Sequence, residues 1–198
     1  MNIFVLYIYA VLMYIAIFFA ILSLPVVAYV FHSLGYQTLA KRRWIKDGWL
    51  SWLPIGVLWI QGCISDQYQY VVKGKVTNRR KVLLWSNIGI LLAWLLFLIT
   101  YLVGMDASED TRVALGVILL ISMLAILALT VLLLIFYYIS LYDLYRSCDP
   151  GNSLLYLILS LVLPYMIPIF VFACRKKELG MPPRKRPAPK PDEETVEN

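Results

Sequence analysis

The sequence has little charge, and its longest stretches have none. Only 15% of the 198 residues are charged and 61% are hydrophobic, whereas a typical soluble domain is about 25% charged. The runs 3–31, 82–105 and 113–142 contain no Asp, Glu, Lys or Arg. Each run is long enough to cross the hydrocarbon core of a bilayer as a helix. The composition therefore excludes an ordinary soluble domain and predicts an integral membrane protein.

The side chains that catalysis and metal binding require are also scarce. His32 is the one histidine, and the three cysteines (Cys63, Cys148 and Cys174) form no Cys-x-x-Cys pair. Ionisable groups inside a membrane usually mark ion pathways and proton relays, and the apolar runs hold none. We therefore expect no catalytic residue, no metal and no cofactor, and predict that the protein is not an enzyme.

Two short apolar segments, residues 48–64 and 154–173, differ from the long runs. Pro54 interrupts the first, and Pro164 and Pro168 interrupt the second; proline inside a helix kinks or breaks it. The predicted fold is an all-α integral membrane protein with three long transmembrane helices and two short, Pro-broken re-entrant or membrane-dipping helical segments. Five transmembrane helices remain the alternative.

The placement of charge predicts a topology. The net charge is +6, but the Lys and Arg residues cluster beside apolar runs, as expected for contact with anionic lipid rather than nucleic acid. Positive clusters mark the cytoplasmic side, and the acidic loop 106–112 then lies outside. If both short segments enter and return, nearly all cations share the cytoplasm, the N-terminus is outside and the C-terminal tail is inside.

The chain divides into a helical membrane domain and a tail. Residues 1–178 form the predicted domain, in which 3–64 and 113–174 read as an internal repeat: a long helix, a basic elbow and a Pro-broken segment. Residues 179–198 are rich in proline and charge, so they bury too little to fold. We predict a disordered cytoplasmic tail there.

Smaller features carry local predictions. The polar run 65–70 is predicted to be a solvated connector or a recognition surface, and the alternation around Gly74 fits a small hairpin. Asp143 and Arg146 are spaced to pair at the end of the third long helix. Ten residues are predicted to contact lipid headgroups or a partner, and for the arginines and lysines among them a dedicated lipid pocket is an alternative to the open surface. They are Lys41, Arg42, Arg43, Lys46, Arg79, Arg80, Lys81, Asp66, Tyr68 and Tyr70.

Three stretches carry a resemblance: the basic, tryptophan-rich run 39–55, the polar and basic run 64–81, and the Leu-Gly-Met-Pro-Pro motif at 179–183. Through these motifs the chain resembles a group of small, uncharacterised bacterial polytopic inner-membrane proteins. The resemblance covers most of the chain and implies a location in the bacterial plasma membrane. It implies no activity, substrate or catalytic residue.

Two functions fit these observations. The first is a non-enzymatic accessory or scaffold subunit whose basic, aromatic cytoplasmic face contacts anionic lipid and a partner membrane protein or a second copy of itself. The alternative is a small permease or lipid-handling protein with a path between the two Pro-broken segments. A polar cavity bounded by Pro54 and Pro164 would favour the alternative.

Overall fold

The computed structural model describes residues 3–105 and 108–182, and within these ranges the chain forms helices and no β-strand. The predicted tail lies almost wholly outside the described residues. Short 3₁₀ turns at Gly48–Trp52 and Pro164–Met166 accompany six α-helices: α1 (Ile3–Arg42), α2 (Pro54–Lys73), α3 (Arg79–Met105), α4 (Glu109–Cys148), α5 (Ser153–Val162) and α6 (Ile167–Cys174).

Three of these helices are long and apolar enough to cross a membrane, over Tyr7–Arg42, Thr111–Cys148 and the whole of α3. Most large apolar side chains along them are exposed: Leu92 and Leu124, for example, are 61% and 58% accessible. An exposed apolar surface of that extent requires lipid or another protein around it. The prediction of an all-helical protein with three long apolar helices is confirmed.

The ends of several helices meet in one place. A guanidinium nitrogen of Arg43, just after α1, donates to the Ser147 hydroxyl near the end of α4 at 2.7 Å. Arg79, the first residue of α3, forms an ion pair with Asp143 of α4. We call this region, where α1 and α4 end and α3 begins, the basic end of the bundle.

The chain between α1 and α3 leaves the basic end and comes back to it. After α1 it doubles back, so that the Trp52 indole donates to the Gln37 amide at 3.3 Å. Helix α2 then runs alongside α1 in the same direction, with Gln61 bonded to Tyr36 and the Gln67 amide donating to the Arg43 carbonyl oxygen at 3.1 Å. Pro54 stands at the first position of α2, where its missing N–H costs no helical hydrogen bond.

Helices α5 and α6 form a hairpin that also leaves the basic end and comes back to it. The rings of Tyr156 on α5 and Phe170 on α6 stack with centroids 5.1 Å apart. After α6 the chain returns to the end of α4, where the Leu179 amide donates to the Cys148 carbonyl oxygen at 3.1 Å. Helix α5 has 10 residues, or about 15 Å, which is half of a hydrocarbon core of about 30 Å.

The predicted connector and hairpin after Cys63 are wrong. Residues 65–70 lie within α2, which continues to Lys73 and ends where Gly74 adopts a left-handed φ of 65°. Glycine takes this conformation without a Cβ penalty. The alternation around Gly74 suggested strands. The polar residues before it, Gln61, Ser65 and Gln69, recur every fourth position instead, which is the period of a helix face.

The buried core lies at the basic end. It joins residues from four helices, among them Tyr36 and Leu39 of α1, Ile60 of α2, Leu144 of α4 and Val171 of α6. Close helix packing depends on glycine at several contacts, of which those of Gly62 and Gly35 are examples. A Cβ on Gly62 would lie 2.3 Å from the Arg80 Cα, and one on Gly35 would lie 2.9 Å from a Val171 methyl. The internal repeat stays a prediction.

Candidate functional site

Helix α2 carries a ladder of polar side chains on the face that it buries. Gln61, Ser65 and Gln69 recur every fourth residue and are 0%, 0% and 4% exposed. Residues at this spacing lie above one another on a helix. A buried polar group is costly unless it is hydrogen-bonded, so the helices facing α2 must supply partners.

The first rung of the ladder joins three helices. The Tyr36 hydroxyl of α1 donates to the Gln61 side-chain oxygen at 3.0 Å. The Gln61 amide nitrogen donates to the Tyr137 carbonyl oxygen at 2.9 Å and to the Ser140 hydroxyl at 2.8 Å, both on α4. Gln61 therefore holds α2 between α1 and α4.

The lower rungs converge on one carboxylate. Asp143 of α4 accepts hydrogen bonds from the Ser65 hydroxyl at 2.8 Å and the Gln69 amide at 2.7 Å. It also pairs with the Arg79 guanidinium, and its side chain is only 2% exposed. The predicted pair between Asp143 and Arg146 is wrong: Arg146 is exposed and contacts Tyr142 instead. Sequence reasoning missed this cluster, although the i, i+4, i+8 polar spacing in α2 was its signal.

A second carboxylate caps the helix that follows. Asp66 accepts from the backbone amide of Arg79 at 2.9 Å and from the Thr77 hydroxyl at 2.6 Å. A carboxylate at a helix N-terminus satisfies amides that lack partners and complements the helix dipole. Asp66 thus anchors the start of α3 to α2.

Beside this cap, the turn after α1 borders an open cavity of about 500 Å³, which we call the elbow cavity. Its walls come from the turn after α1, from α2 and from the start of α3. Cationic, aromatic and acidic side chains share its surface. The lining residues are Arg43, Trp44, Ile45, Lys46, Asp47, Trp59, Cys63, Asp66, Gln67, Tyr70, Val76, Thr77 and Arg80.

The backbone of the elbow is strained at the edge of this cavity. Trp44 and Asp47 have φ values of 56° and 60°, a left-handed conformation that non-glycine residues rarely adopt. Backbone strain of this kind tends to occur at binding sites and switches. The Ile45 amide, bonded to the Ala40 carbonyl oxygen at 3.0 Å, helps to hold the turn.

One cationic side chain of the cavity, Arg80, lies over an aromatic ring and near a carboxylate. The Arg80 guanidinium lies over the Trp59 ring, 5.6 Å from its centroid, and 3.9 Å from Asp66. Cation–π contact orients a guanidinium without neutralising it. The exposed Trp44 side chain, 86% accessible, lies at the rim, and tryptophan prefers the headgroup level of a membrane.

The structure brings together some of the predicted site residues and separates others. Arg43, Lys46, Arg80, Asp66 and Tyr70 line the elbow cavity.

The other predicted residues have different surroundings. Lys41 and Lys81 are exposed outside the cavity, Arg42 pairs with Glu178 at 3.6 Å, and Arg79 pairs with Asp143. Tyr68 is 3% exposed, and burial raises the pKa of its hydroxyl. Contact of these residues with lipid or a partner stays a prediction.

A separate cavity of about 420 Å³ lies next to Pro54, between α1, α2, α3 and α4. Its lining is mostly apolar, with Tyr29, His32 and Asn87 as polar contributions, and Pro164 is not part of it. In the described ranges, no three His, Cys, Asp or Glu side chains lie close enough together to hold a metal ion. Comparison with family models, curated proteins and solved structures finds no match to this chain.

Proposed function

We propose that the protein is a non-enzymatic accessory or scaffold subunit of the bacterial plasma membrane. In this proposal its basic end lies on anionic lipid at the cytoplasmic face and presents a surface to a partner protein. The observation that carries the proposal is the convergence of the described basic clusters on one end of the bundle. Lys46 follows α1, Arg80 lies in the first turn of α3 and Arg175 follows α6, yet all belong to this end.

The path of the chain supports a topology in which both Pro-broken segments are re-entrant. Each leaves the basic end and returns to it, and α5 is about half a bilayer long. The exposed tryptophan at the basic end, Trp44 at 86%, suits the membrane interface. The N-terminus is then outside and the C-terminal tail is cytoplasmic, because positive clusters stay inside.

The alternative function, a small permease or lipid-handling protein, has weaker support. The cavity beside Pro54 is lined mainly by apolar side chains such as Val57 and Leu133, and Pro164 does not border it. A transport path between the two Pro-broken segments would need polar groups that connect them.

Two measurements test the proposal. In a cysteine-free background, Tyr70→Cys and Thr111→Cys are labelled with a membrane-impermeant maleimide in spheroplasts. We expect label at Thr111→Cys only, and label at Tyr70→Cys from outside would contradict the topology.

Purification in mild detergent should recover a reproducible partner or a dimer of this chain, and recovery of monomer alone would contradict the scaffold role.

A further inference from the structure

We propose that the elbow cavity is a binding site for one phosphoglycerol headgroup, the chemistry of phosphatidylglycerol. This goes beyond attraction of a basic surface to anionic lipid, because it assigns one occupant to one cavity. It rests on the proposed function in placing the basic end at the level of the headgroups.

The phosphate would be held by two cations from different parts of the chain. Lys46 belongs to the strained elbow after α1, and Arg80 belongs to the first turn of α3. Arg80 is oriented by the Trp59 ring and keeps 45% of its side chain exposed. A guanidinium and an ammonium together make charge-assisted hydrogen bonds to phosphate oxygens.

The glycerol hydroxyls would meet an acceptor that the protein leaves unused. The Gln67 amide nitrogen donates to the Arg43 carbonyl oxygen at 3.1 Å, which fixes the orientation of the side chain. Its oxygen, Oε1, has no hydrogen-bond partner among the described residues and almost no accessible surface, so a small movement of the side chain must expose it to the headgroup. Buried acceptors are normally satisfied, and a hydroxyl is a donor, whereas the trimethylammonium group of choline is not.

The charge of the lining fits a phosphodiester. Arg43, Lys46 and Arg80 carry three positive charges against the two carboxylates Asp47 and Asp66, which leaves one positive charge. Asp66 already accepts a hydrogen bond from the backbone amide of Arg79 at the start of α3. One residual positive charge matches the single negative charge of a phosphoglycerol group and has no counterpart in a neutral phosphatidylcholine headgroup.

Native mass spectrometry of the full chain in detergent tests the cations. We expect one short-chain phosphatidylglycerol to bind about tenfold tighter than phosphatidylcholine. Lys46→Gln and Arg80→Gln should each weaken that binding about tenfold, the loss of one charge-assisted hydrogen bond. Lys176→Gln removes the same charge from an exposed position outside the cavity and should leave binding unchanged.

Gln67→Leu tests recognition of the glycerol. The wild type should prefer phosphatidylglycerol to phosphatidic acid, and Gln67→Leu should remove that preference while it keeps its affinity for phosphatidic acid. Soluble glycerol phosphate should displace the lipid only weakly. Binding of glycerol phosphate as tight as that of the lipid would overturn a membrane source for the headgroup.

Two results would overturn the site itself. One is an equal loss of binding in Lys176→Gln and Lys46→Gln, which indicates surface attraction alone. The other is a wild type that binds phosphatidylglycerol and phosphatidic acid equally. Either result leaves the general lipid contact of the proposed function standing, whereas no preference for any anionic lipid contradicts both proposals.

Thermal unfolding in lipid-free detergent confirms that each variant folds. Lys46→Gln should disturb folding least, because the Lys46 side chain is exposed.

Discussion

The Arg79 guanidinium at the start of α3 pairs with the Asp143 carboxylate near the end of α4, with side chains 17% and 2% exposed. Ser65 and Gln69 of α2 donate to the same carboxylate. One buried charge therefore joins three helices at the basic end. An ion pair in this position is sensitive to the loss of either partner, because the other charge is left buried.

Asp143→Asn should destabilise the fold by about 3 kcal/mol or more. The variant retains an acceptor for Ser65 and Gln69 but leaves the Arg79 charge without its partner. Thermal or SDS unfolding in detergent micelles measures the change. Arg146→Gln, which alters an exposed charge one turn along the same helix, is the control, and an equal loss there would contradict the role of the buried pair.

Gly62→Ala should separate α2 from the start of α3. Its Cβ would lie 2.3 Å from the Arg80 Cα, so backbone must move, at a cost of about 1–3 kcal/mol. Gly116→Ala is the matched control, because a Cβ there meets nothing within 4 Å and alanine favours a helix more than glycine does. The unfolding midpoint should fall for the first variant and hold or rise for the second.

Asp47→Gly should stabilise the elbow. Asp47 has a φ of 60°, and a left-handed conformation costs a non-glycine residue about 1–2 kcal/mol, which glycine does not pay. Lys46→Gly is the control at a neighbour without positive φ, where greater freedom of the unfolded chain should lower stability. A lower unfolding midpoint for Asp47→Gly than for the control would show that the elbow is not strained.

The chain after α6 should be held to α4 in a pH-dependent way. A hydrogen bond from Lys177, 3.1 Å away, and a second from Asn152 lower the pKa of Asp149 below its ordinary 3.8. The same hydrogen bond raises the pKa of Lys177 above 10.5. The pair of Asp149 and Lys177 is therefore fully charged between pH 3.8 and pH 10.5, the ordinary pKa values of the two groups. It weakens as pH falls through the lowered pKa of Asp149 or rises through the raised pKa of Lys177.

Hydrogen exchange of the Leu179 and Gly180 amides measures this attachment, because they donate to the carbonyl oxygens of Cys148 and Ser147. At pH 7, Asp149→Asn should speed their exchange relative to the wild type. Lys176→Gln changes the charge of the neighbouring exposed residue and should not. Equal exchange in Asp149→Asn and the wild type would show that the backbone bonds alone hold the segment.

The sequence by itself determined the all-helical class, the three helices that are long and apolar enough to cross a membrane, and the places where proline breaks the chain. These follow from the length of uncharged runs and from the geometry of proline, which are local properties. The basic residues could also be assigned to clusters, since positive charge beside an apolar run has few other uses in a membrane protein.

Only the tertiary structure decided which of those residues face one another. The polar run 65–70 looked like a solvated connector, yet it continues α2, because Asp143 and Arg79 on other helices satisfy its buried side chains. The elbow cavity likewise needs Lys46 and Arg80 from separate parts of the chain. A buried polar group is stable only with its partner, and a sequence pattern does not show which distant residue supplies that partner.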